Sequence, residues 1–191
     1  IIGITGSVGK TSTKEIIASV LSEKYQVLKT EGNYNNEIGM PLTMLKIRDN
    51  HQIAVIEMGI SDFGEMHRLA NISKPDVCVI TNIGTCHLEN LGDRDGVFRA
   101  KTEMFEHAQK DCFVVLNGDD DKLINVKEVN GHEPMFFGIN TKQNVGIVSH
   151  TSKGVMGTEV EIRYFDKTFT TLIPIPGFHM IYNALAATCI G

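Results

Sequence analysis

The sequence predicts an α/β fold: a mostly parallel sheet with helices on both faces and a small antiparallel β appendage near the C-terminal part. Short runs of apolar and β-branched residues alternate with segments of helical periodicity. The predicted strands are apolar along nearly their whole length, which is typical of strands covered on both faces. A glycine-rich loop, Gly6-Ser7-Val8-Gly9-Lys10-Thr11, joins the first strand directly to the first helix.

The elements of the parallel part follow in order along the chain. Predicted strands cover residues 1–5, 26–30, 53–58, 77–81, 113–116 and 135–139. Predicted helices cover residues 10–23, 41–47, 64–70, 96–109 and 120–129. In the first helix, an apolar stripe is formed by Ile16, Ile17, Val20 and Leu21. The alternation of strand and helix favours right-handed crossovers between parallel strands.

The pattern changes after about residue 143. Shorter, partly alternating strands are predicted at 145–150, 159–165 and 168–173, with turns at Lys153-Gly154 and Asp166-Lys167. A last helix is predicted from about His179. The chain opens on an apolar strand and its last residues have the pattern of a helix that is still continuing, so we expect residues 1–191 to be one domain excised from a longer protein.

Composition excludes several classes of function. The 191 residues carry 18 basic and 23 acidic side chains, a net charge of -5, so nucleic-acid binding through a generally cationic surface is disfavoured. No apolar run approaches the ~20 residues that span a bilayer, so we expect no membrane insertion. The four cysteines form no CxxC pair, which favours a reducing, cytoplasmic location. We also expect a monomer.

The loop at residues 6–11 has the chemistry of a phosphate site. Glycines let backbone N–H groups approach phosphate oxygens, and the helix N-terminus adds its positive end. Lys10 can neutralise phosphate charge, and the Thr11 hydroxyl can reach a bound Mg²⁺. This arrangement is that of a P-loop NTPase, although the loop is GxxGKT, shorter than GxxxxGK[ST]. The alternative is a glycine-rich turn that merely begins a helix.

Polar residues at the ends of other strands are further candidates, because ligands bind beyond the carboxyl ends of strands in open α/β sheets. Glu57 ends an apolar strand and could supply a carboxylate for Mg²⁺ beside the loop, or could cap the next helix. His87 follows the fourth strand, and Lys101 lies in a predicted helix; each residue type is usually structural or solvated in such positions. The remaining candidates are the asparagine-rich segment 32–39 and a pair four apart on the last helix, His179 and Asn183.

Four segments together resemble the central ATP-binding domain of the Mur ligases: GITGSVGKTSTKE, GNYNNEIGMPLTML, AVIEMGISDFGEM and PDVCVITNIGTCHLENLGDRDGVFRAKTEMF. They are in the family's order and cover nearly the whole chain. The NNEIGMPLT and IEMG segments are most similar to the member that adds D-alanyl-D-alanine to UDP-N-acetylmuramoyl-tripeptide. The resemblance implies an ATP-dependent amide-bond-forming ligase, in which a phosphorylated carboxylate is attacked by an amine. It also implies separate domains for the two other substrates, so this chain is not expected to ligate alone.

The resemblance assigns roles to particular residues. It implies catalytic roles for Lys10, His87 and Lys101. Lys101 matches the lysine that the family carbamylates, which converts a cation into a carboxylate-like metal ligand. Mg²⁺ ligands are implied at Thr11, Glu57, His87 and the carbamylated Lys101, and contacts to ATP at Gly6, Ser7, Val8, Gly9, Lys10, Thr11, Ser12, Asn36 and Asn183.

The sequence departs from the family's pattern at Met180, where an asparagine often follows the histidine, and at Thr102 and Asp93. Three alternatives remain open. The chain could come from another Mur-type ligase, such as a folylpolyglutamate synthase-like or cyanophycin-type enzyme. It could be a P-loop NTPase switch without amide chemistry, which would give Lys101 no role. A dinucleotide-binding domain is the weakest alternative, because the sequence contains no GxGxxG.

Overall fold

A computed structural model describes residues 1–140 and 143–191 of the chain. Within them, nine strands form one sheet: β1 (Ile2–Thr5), β2 (Val27–Lys29), β3 (Ile53–Glu57), β4 (Val77–Ile80), β5 (Phe113–Asn117), β6 (Met135–Phe137), β7 (Val145–Ser152), β8 (Thr158–Tyr164) and β9 (Lys167–Ile173). The α-helices of these residues are α1 (Lys10–Ser22), α2 (Gly39–Met44), α3 (Glu65–Ser73), α4 (Leu88–Leu91), α5 (Arg94–Thr102) and α6 (His179–Thr188).

The sheet has the order β2-β3-β1-β4-β5-β6-β7-β8-β9. Strands β1 to β6 are parallel, β6 and β7 also pair in parallel, and β7, β8 and β9 are antiparallel. The predicted α/β class and the antiparallel appendage are therefore confirmed, and the appendage continues the main sheet. Because β1 lies between β3 and β4, the carboxyl ends of these three strands meet at one edge.

Two apolar layers cover the sheet, because side chains alternate between its faces along each strand. On one face, Ile2 and Ile4 of β1 pack with α1 and α6. On the other, Ile56 of β3 and Ile80 of β4 pack with residues of α2, α3 and α5. None of the helices in the described residues is long and apolar enough to cross a membrane.

The predicted helix at residues 120–129 is wrong. Only a three-residue 3-10 helix, Leu123–Asn125, forms there. The Asp120 carboxylate accepts hydrogen bonds from the backbone N–H groups of Lys122 (3.0 Å) and Leu123 (3.1 Å), and it also receives the N–H of Ile83 (2.7 Å). Such side-chain bonds compete with helical ones, so the segment turns instead of continuing as a helix.

The predicted helix at residues 96–109 is divided in the structure. Helix α5 begins earlier, because the Asp93 carboxylate caps it by accepting from the N–H of Gly96 (2.8 Å). The chain then tightens into a 3-10 helix, Glu103–His107. Asp93, which departs from the family's pattern, is thus a helix cap.

Candidate functional site

The loop between β1 and α1 is held in a wrapped shape by the end of β4. Gly6 has φ +148° and Gly9 has φ +81°, conformations that favour glycine. A Cβ atom on Gly6 would lie 1.9 Å from Thr81 Oγ1. Thr81 Oγ1 donates to the carbonyl of Val8 (2.6 Å), and the N–H of Val8 donates to Asn82 Oδ1 (3.0 Å). The glycines therefore allow the close approach that shapes the loop.

Lys10 and Thr11 are the first two residues of α1, directly after this loop. Lys10 Nζ curls back to donate to the carbonyl of Gly6 (2.8 Å), so its ammonium lies over the loop. Thr11 is exposed, and its Oγ1 donates to Glu57 Oε1 (3.1 Å). Ser12 is half-buried, and its side chain makes no hydrogen bond among the residues that the structure describes. Loop, lysine, hydroxyl and carboxylate are thus brought together as the motif predicts.

Glu57 has a buried carboxylate with one oxygen left over. The register pairs Glu57 with Ile4 of β1, and the residue is 1% exposed. Its Oε1 also accepts from Asn35 Nδ2 (2.8 Å), whereas Oε2 has no hydrogen-bond partner among residues 1–140 and 143–191. A buried acceptor without a partner is unusual. Carboxylate and hydroxyl oxygens are ligands that suit Mg²⁺, so Glu57 and Thr11 fit such an ion.

Sequence reasoning missed Lys14, which lies behind Glu57. Lys14 is 1% exposed, and its Nζ donates to the carbonyl of Thr30 (2.7 Å). It lies 3.0 Å from Glu15 Oε1 and 3.9 Å from Glu57 Oε2. Burial acts to raise the pKa of Glu15, but hydrogen bonds from Lys29 and Lys14 lower it on balance. The sequence signal that could have identified Lys14 is its position in α1. It lies one helical turn after Lys10 and close to the buried Ile17 and Ala18.

Lys101 is also buried, on α5, with 1% exposure. Burial lowers the pKa of its ammonium from 10.5 to about 8; the thiol of Cys86 acts to raise it, and the charge of Lys10 lowers it further. Lys101 makes no hydrogen bond or ion pair within the described part of the chain. Lys10 and Cys86 act on Lys101 electrostatically, and the role of this buried amine as a carbamylated metal ligand stays a prediction.

The segment carrying His87 is tied to the same loop. Cys86 Sγ donates to Ser7 Oγ (3.2 Å), and the N–H of Gly84 donates to that oxygen (2.8 Å). His87 is half-buried and adopts φ +55° just before α4. Its ring makes no hydrogen bond among the described residues. The structure therefore brings His87 near the loop, and its role as a metal ligand stays a prediction.

The two predicted asparagines have different surroundings. Asn36 is exposed, and its Oδ1 accepts from the N–H groups of Ile38 (3.1 Å) and Gly39 (2.9 Å), which begins α2. Its neighbour Asn35 is the one that contacts Glu57. Asn183 is buried on α6, where its Oδ1 accepts from Thr13 Oγ1 (3.0 Å).

A pocket of about 370 Å³ lies between the phosphate loop and α6. Its size and position suit a nucleoside attached to phosphates held by the loop. Met180 is buried, and its Sδ accepts from Nδ2 of Asn183 (3.4 Å), which lines this pocket. The lining residues are Val8, Gly9, Thr13, Thr81, Asn82, Asn117, Phe137, His179, Tyr182 and Asn183. A larger apolar groove of about 1240 Å³, along α1, β9 and the end of α6, contains none of the predicted site residues.

Residues 4–191 match the family described as the Mur ligase middle domain. This chain belongs to that family. It is 40% identical over 191 residues to the UDP-N-acetylmuramoyl-tripeptide--D-alanyl-D-alanine ligase of Bacillus subtilis (strain 168), covering 100% of this chain and 40% of the relative. The ligase of the same name from Escherichia coli (strain K12) is 34% identical over 197 residues, covering 100% of this chain and 42% of that protein.

Solved structures agree with this membership. MurF from Acinetobacter baumannii has a TM-score of 0.91 and 34% identity, covering 98% of this chain and 41% of that one. MurF from Thermotoga maritima, solved in complex with ADP, has a TM-score of 0.87 and 34% identity, covering 99% and 44%. A mutant of L. casei FPGS, 16% identical with a TM-score of 0.75, shares the fold alone. This Mur ligase middle domain thus spans about two fifths of the length of its curated relatives.

Proposed function

We propose that this chain is the ATP-binding domain of a ligase that adds D-alanyl-D-alanine to UDP-N-acetylmuramoyl-tripeptide in peptidoglycan precursor synthesis. Relatives of that name, 34–40% identical over the whole chain, support this choice over the other Mur-type ligases. Membership of a ligase family also argues against a switch NTPase without amide chemistry. The ADP complex of the Thermotoga maritima relative supports the proposal that this domain binds an adenine nucleotide.

The observation that carries the proposal is the Thr11–Glu57 pair at the phosphate loop. The hydroxyl and the buried carboxylate, with Oε2 lacking a hydrogen bond in the described residues, offer oxygen ligands beside the place where the loop would hold phosphates. When bound there, Mg²⁺ would neutralise charge on the β- and γ-phosphates. We assign Thr11 and Glu57 to the first ion, and His87 with a carbamylated Lys101 to the second.

The chain's own residues then have separate tasks. The backbone N–H groups of residues 6–9 and the start of α1 would orient the phosphates for transfer to the substrate carboxylate. Lys10, freed from the carbonyl of Gly6, would offset the negative charge that spreads over the transferred group. Asn183 and the neighbouring pocket would position the nucleoside. Phosphoryl transfer needs mainly such positioning and charge compensation.

Carbamylation of Lys101 is consistent with its surroundings. The reaction joins the neutral amine nitrogen to the carbon of CO₂ and releases one proton, so it requires the deprotonated amine. Because burial lowers the pKa of Lys101 to about 8, a substantial fraction of this amine is neutral near physiological pH. An ordinary lysine has a pKa near 10.4 and has almost no neutral amine there.

The two other substrates would be bound by parts of the protein beyond the matched segment. The relatives are more than twice as long as this chain. We therefore propose that recognition of the tripeptide and the dipeptide resides there, in a cytoplasmic monomer that binds neither nucleic acid nor membrane. Sedimentation of the natural polypeptide that contains this chain tests the monomer.

Replacing Glu57 by glutamine tests the Mg²⁺ assignment in that natural polypeptide. The amide keeps the shape but loses the charge, so we expect about 10- to 100-fold weaker binding of Mg²⁺–ADP by calorimetry. Glu161→Gln, at a half-buried position of β8 in the antiparallel part of the sheet, is the control and should bind as the unchanged protein does. Equal affinity of the Glu57 variant would contradict the assignment.

Phosphate release tests the reaction itself. We expect release from ATP to require both UDP-N-acetylmuramoyl-tripeptide and D-alanyl-D-alanine. Release that depends on neither substrate would favour the switch alternative. Electron density extending from Lys101 Nζ in a crystal grown with bicarbonate would test carbamylation directly.

A further inference from the structure

A cluster of polar side chains lies outside the phosphate site, where α3 packs against the 3-10 helix Glu103–His107. His67 Nδ1 is 2.9 Å from Glu106 Oε2. His107 Nε2 lies 3.1 Å and 3.2 Å from the two ring nitrogens of His67. One nitrogen from each histidine and one glutamate oxygen all lie within 4.8 Å of one another. Neither the phosphate chemistry nor the core explains this convergence.

The two elements that carry these side chains are held together independently of the cluster. The Glu103 carboxylate accepts from the N–H of Gly64 (3.0 and 3.1 Å) and from the N–H of His67 (3.2 Å). Met66 and Met104, both fully buried, belong to the same apolar core. The backbone positions from which the three side chains project are therefore established before any ion binds, which lowers the entropic cost of forming a site.

Hydrogen bonding inside the cluster is incomplete. Because His107 Nε2 is almost equidistant from both nitrogens of His67, it points at the ring and not along either nitrogen's lone pair. The ring centroids are 4.3 Å apart with an interplanar angle of 76°. The side chains of His67 and Glu106 are 49% and 58% exposed, so both have room to turn. A cation between them would accept one lone pair from each ring and one from the carboxylate.

We propose that His67, Glu106 and His107 bind one divalent transition-metal ion of the Zn²⁺ class. Imidazole nitrogens with one carboxylate suit this class, whereas Mg²⁺ prefers oxygen ligands alone. Around a tetrahedral ion with bonds of about 2.0–2.1 Å, ligand atoms lie roughly 3.3–3.4 Å apart. The 2.9 Å and 3.1 Å separations that involve His67 Nδ1 therefore need to open by only a few tenths of an ångström, and the Glu106 and His107 ligand atoms lie within 4.8 Å of each other. Water supplies the fourth ligand.

Such an ion joins two parts of the phosphate-site framework. Helix α3 follows β3, which ends in Glu57, and the 3-10 helix follows α5, which carries Lys101. The ion would therefore stabilise the fold on the face of the sheet opposite α1, and it takes no part in the chemistry. Its effect is on unfolding, whatever reaction the domain supports, so failure of this proposal is distinguishable from failure of the proposed function.

Calorimetric titration with ZnCl₂, in the presence of saturating Mg²⁺, tests the site. We expect one equivalent of Zn²⁺ to bind and the melting temperature to rise by roughly 5–10 °C at a hundredfold excess over Kd. Co²⁺ should show the visible absorption of a tetrahedral nitrogen and oxygen site. His67→Ala and His107→Ala should each weaken binding by at least about 10-fold, with a smaller loss for Glu106→Gln.

His132→Ala is the matched control. His132 is an exposed histidine whose Nε2 lies 3.7 Å from the Asp111 carboxylate. No third potential metal ligand joins this pair among the described residues. The His132→Ala variant should bind Zn²⁺ with the same affinity as the unchanged protein. His67, Glu106 and His132 are exposed and His107 is half-buried, and melting without metal verifies that each variant folds. Undiminished binding by the His67→Ala/His107→Ala double variant, or no binding by the unchanged protein, would overturn the proposal.

Discussion

The parallel strands β1–β6 and the antiparallel strands β7–β9 share one sheet but differ in what covers them. Most residues of β1, β3, β4 and β5 are buried, whereas Ile173 is the only fully buried residue of β9. Every predicted site residue except Asn183 lies in the parallel half or on its connections. Polar groups gather there because the carboxyl ends of parallel strands share one edge.

The antiparallel half contributes indirectly, through the course of the chain. Strands β8 and β9 form a hairpin, and the chain then returns across the sheet as α6. Helix α6 packs on α1, where Asn183 bonds to Thr13 beside the phosphate loop. One half therefore carries charged groups in buried positions, and the other serves as a scaffold with an exposed face. Substitutions that compare buried charges with exposed ones test this difference.

The largest effect is expected for Lys14→Met. The change removes the cation that faces Glu57, Glu15 and the carbonyl of Thr30, and it leaves a buried carboxylate uncompensated. We expect a loss of roughly 3–5 kcal/mol in the free energy of unfolding, measured in urea without Mg²⁺. Lys153→Met breaks the exposed pair with Glu159 (3.3 Å) in the antiparallel half and should cost at most about 1 kcal/mol. Similar losses of stability from the two substitutions would contradict the proposed difference between the two halves of the sheet.

The next effect concerns the pH dependence due to Lys101. Between about pH 8 and 10.5 the unfolded chain binds more protons at this amine than the fold does, so stability rises with pH across that window. Below pH 8 the buried cation costs about 3 kcal/mol. Lys101→Met should therefore be more stable than the unchanged protein at pH 7, with the gap closing by pH 10.

Urea unfolding at pH 7 and pH 10 in CO₂-free buffer measures this difference. Exclusion of CO₂ keeps Lys101 uncarbamylated, so the titration reports the amine alone. Lys167→Met, at the exposed start of β9, is the control in the antiparallel half and should leave the pH dependence unchanged. A gap that does not narrow with pH would show that burial does not shift the pKa of Lys101 in this way.

The smallest effect on the free energy of unfolding is expected for alanine substitutions at two glycines, each of which lies close to a neighbouring oxygen atom. A Cβ atom would lie 1.9 Å from Thr81 Oγ1 at Gly6, and 1.9 Å from the carbonyl oxygen of Ile173 at Gly157. Both have φ above +100°, so alanine at either should cost about 2 kcal/mol in unfolding. Gly6→Ala should also abolish nucleotide binding, and Gly157→Ala should leave it intact. Loss of binding in both would show that the halves are coupled.

The sequence predicted the parallel core well, because buried strands and the glycine-rich loop have strong local signals. It was less successful where side chains redirect the backbone. Asp120 binds nearby N–H groups and ends the expected helix at residues 120–129, and helix propensity does not report such bonds. In α1, Ile17 and Leu21 of the predicted stripe are buried, but Val20 is 44% exposed beside the apolar groove.

For the site, sequence alone determined the phosphate loop, Lys10, Thr11 and the carboxylate at the end of β3, because these residues follow directly from a strand–loop–helix motif and from strand ends. Only the tertiary structure decided which asparagine meets Glu57, that Lys14 and Lys101 are buried, and that α6 returns to the loop. Lysines on helices are usually solvated, and their burial depends on packing between residues distant in the chain. Local pattern specifies chemical groups, whereas burial and charge compensation depend on the assembled sheet.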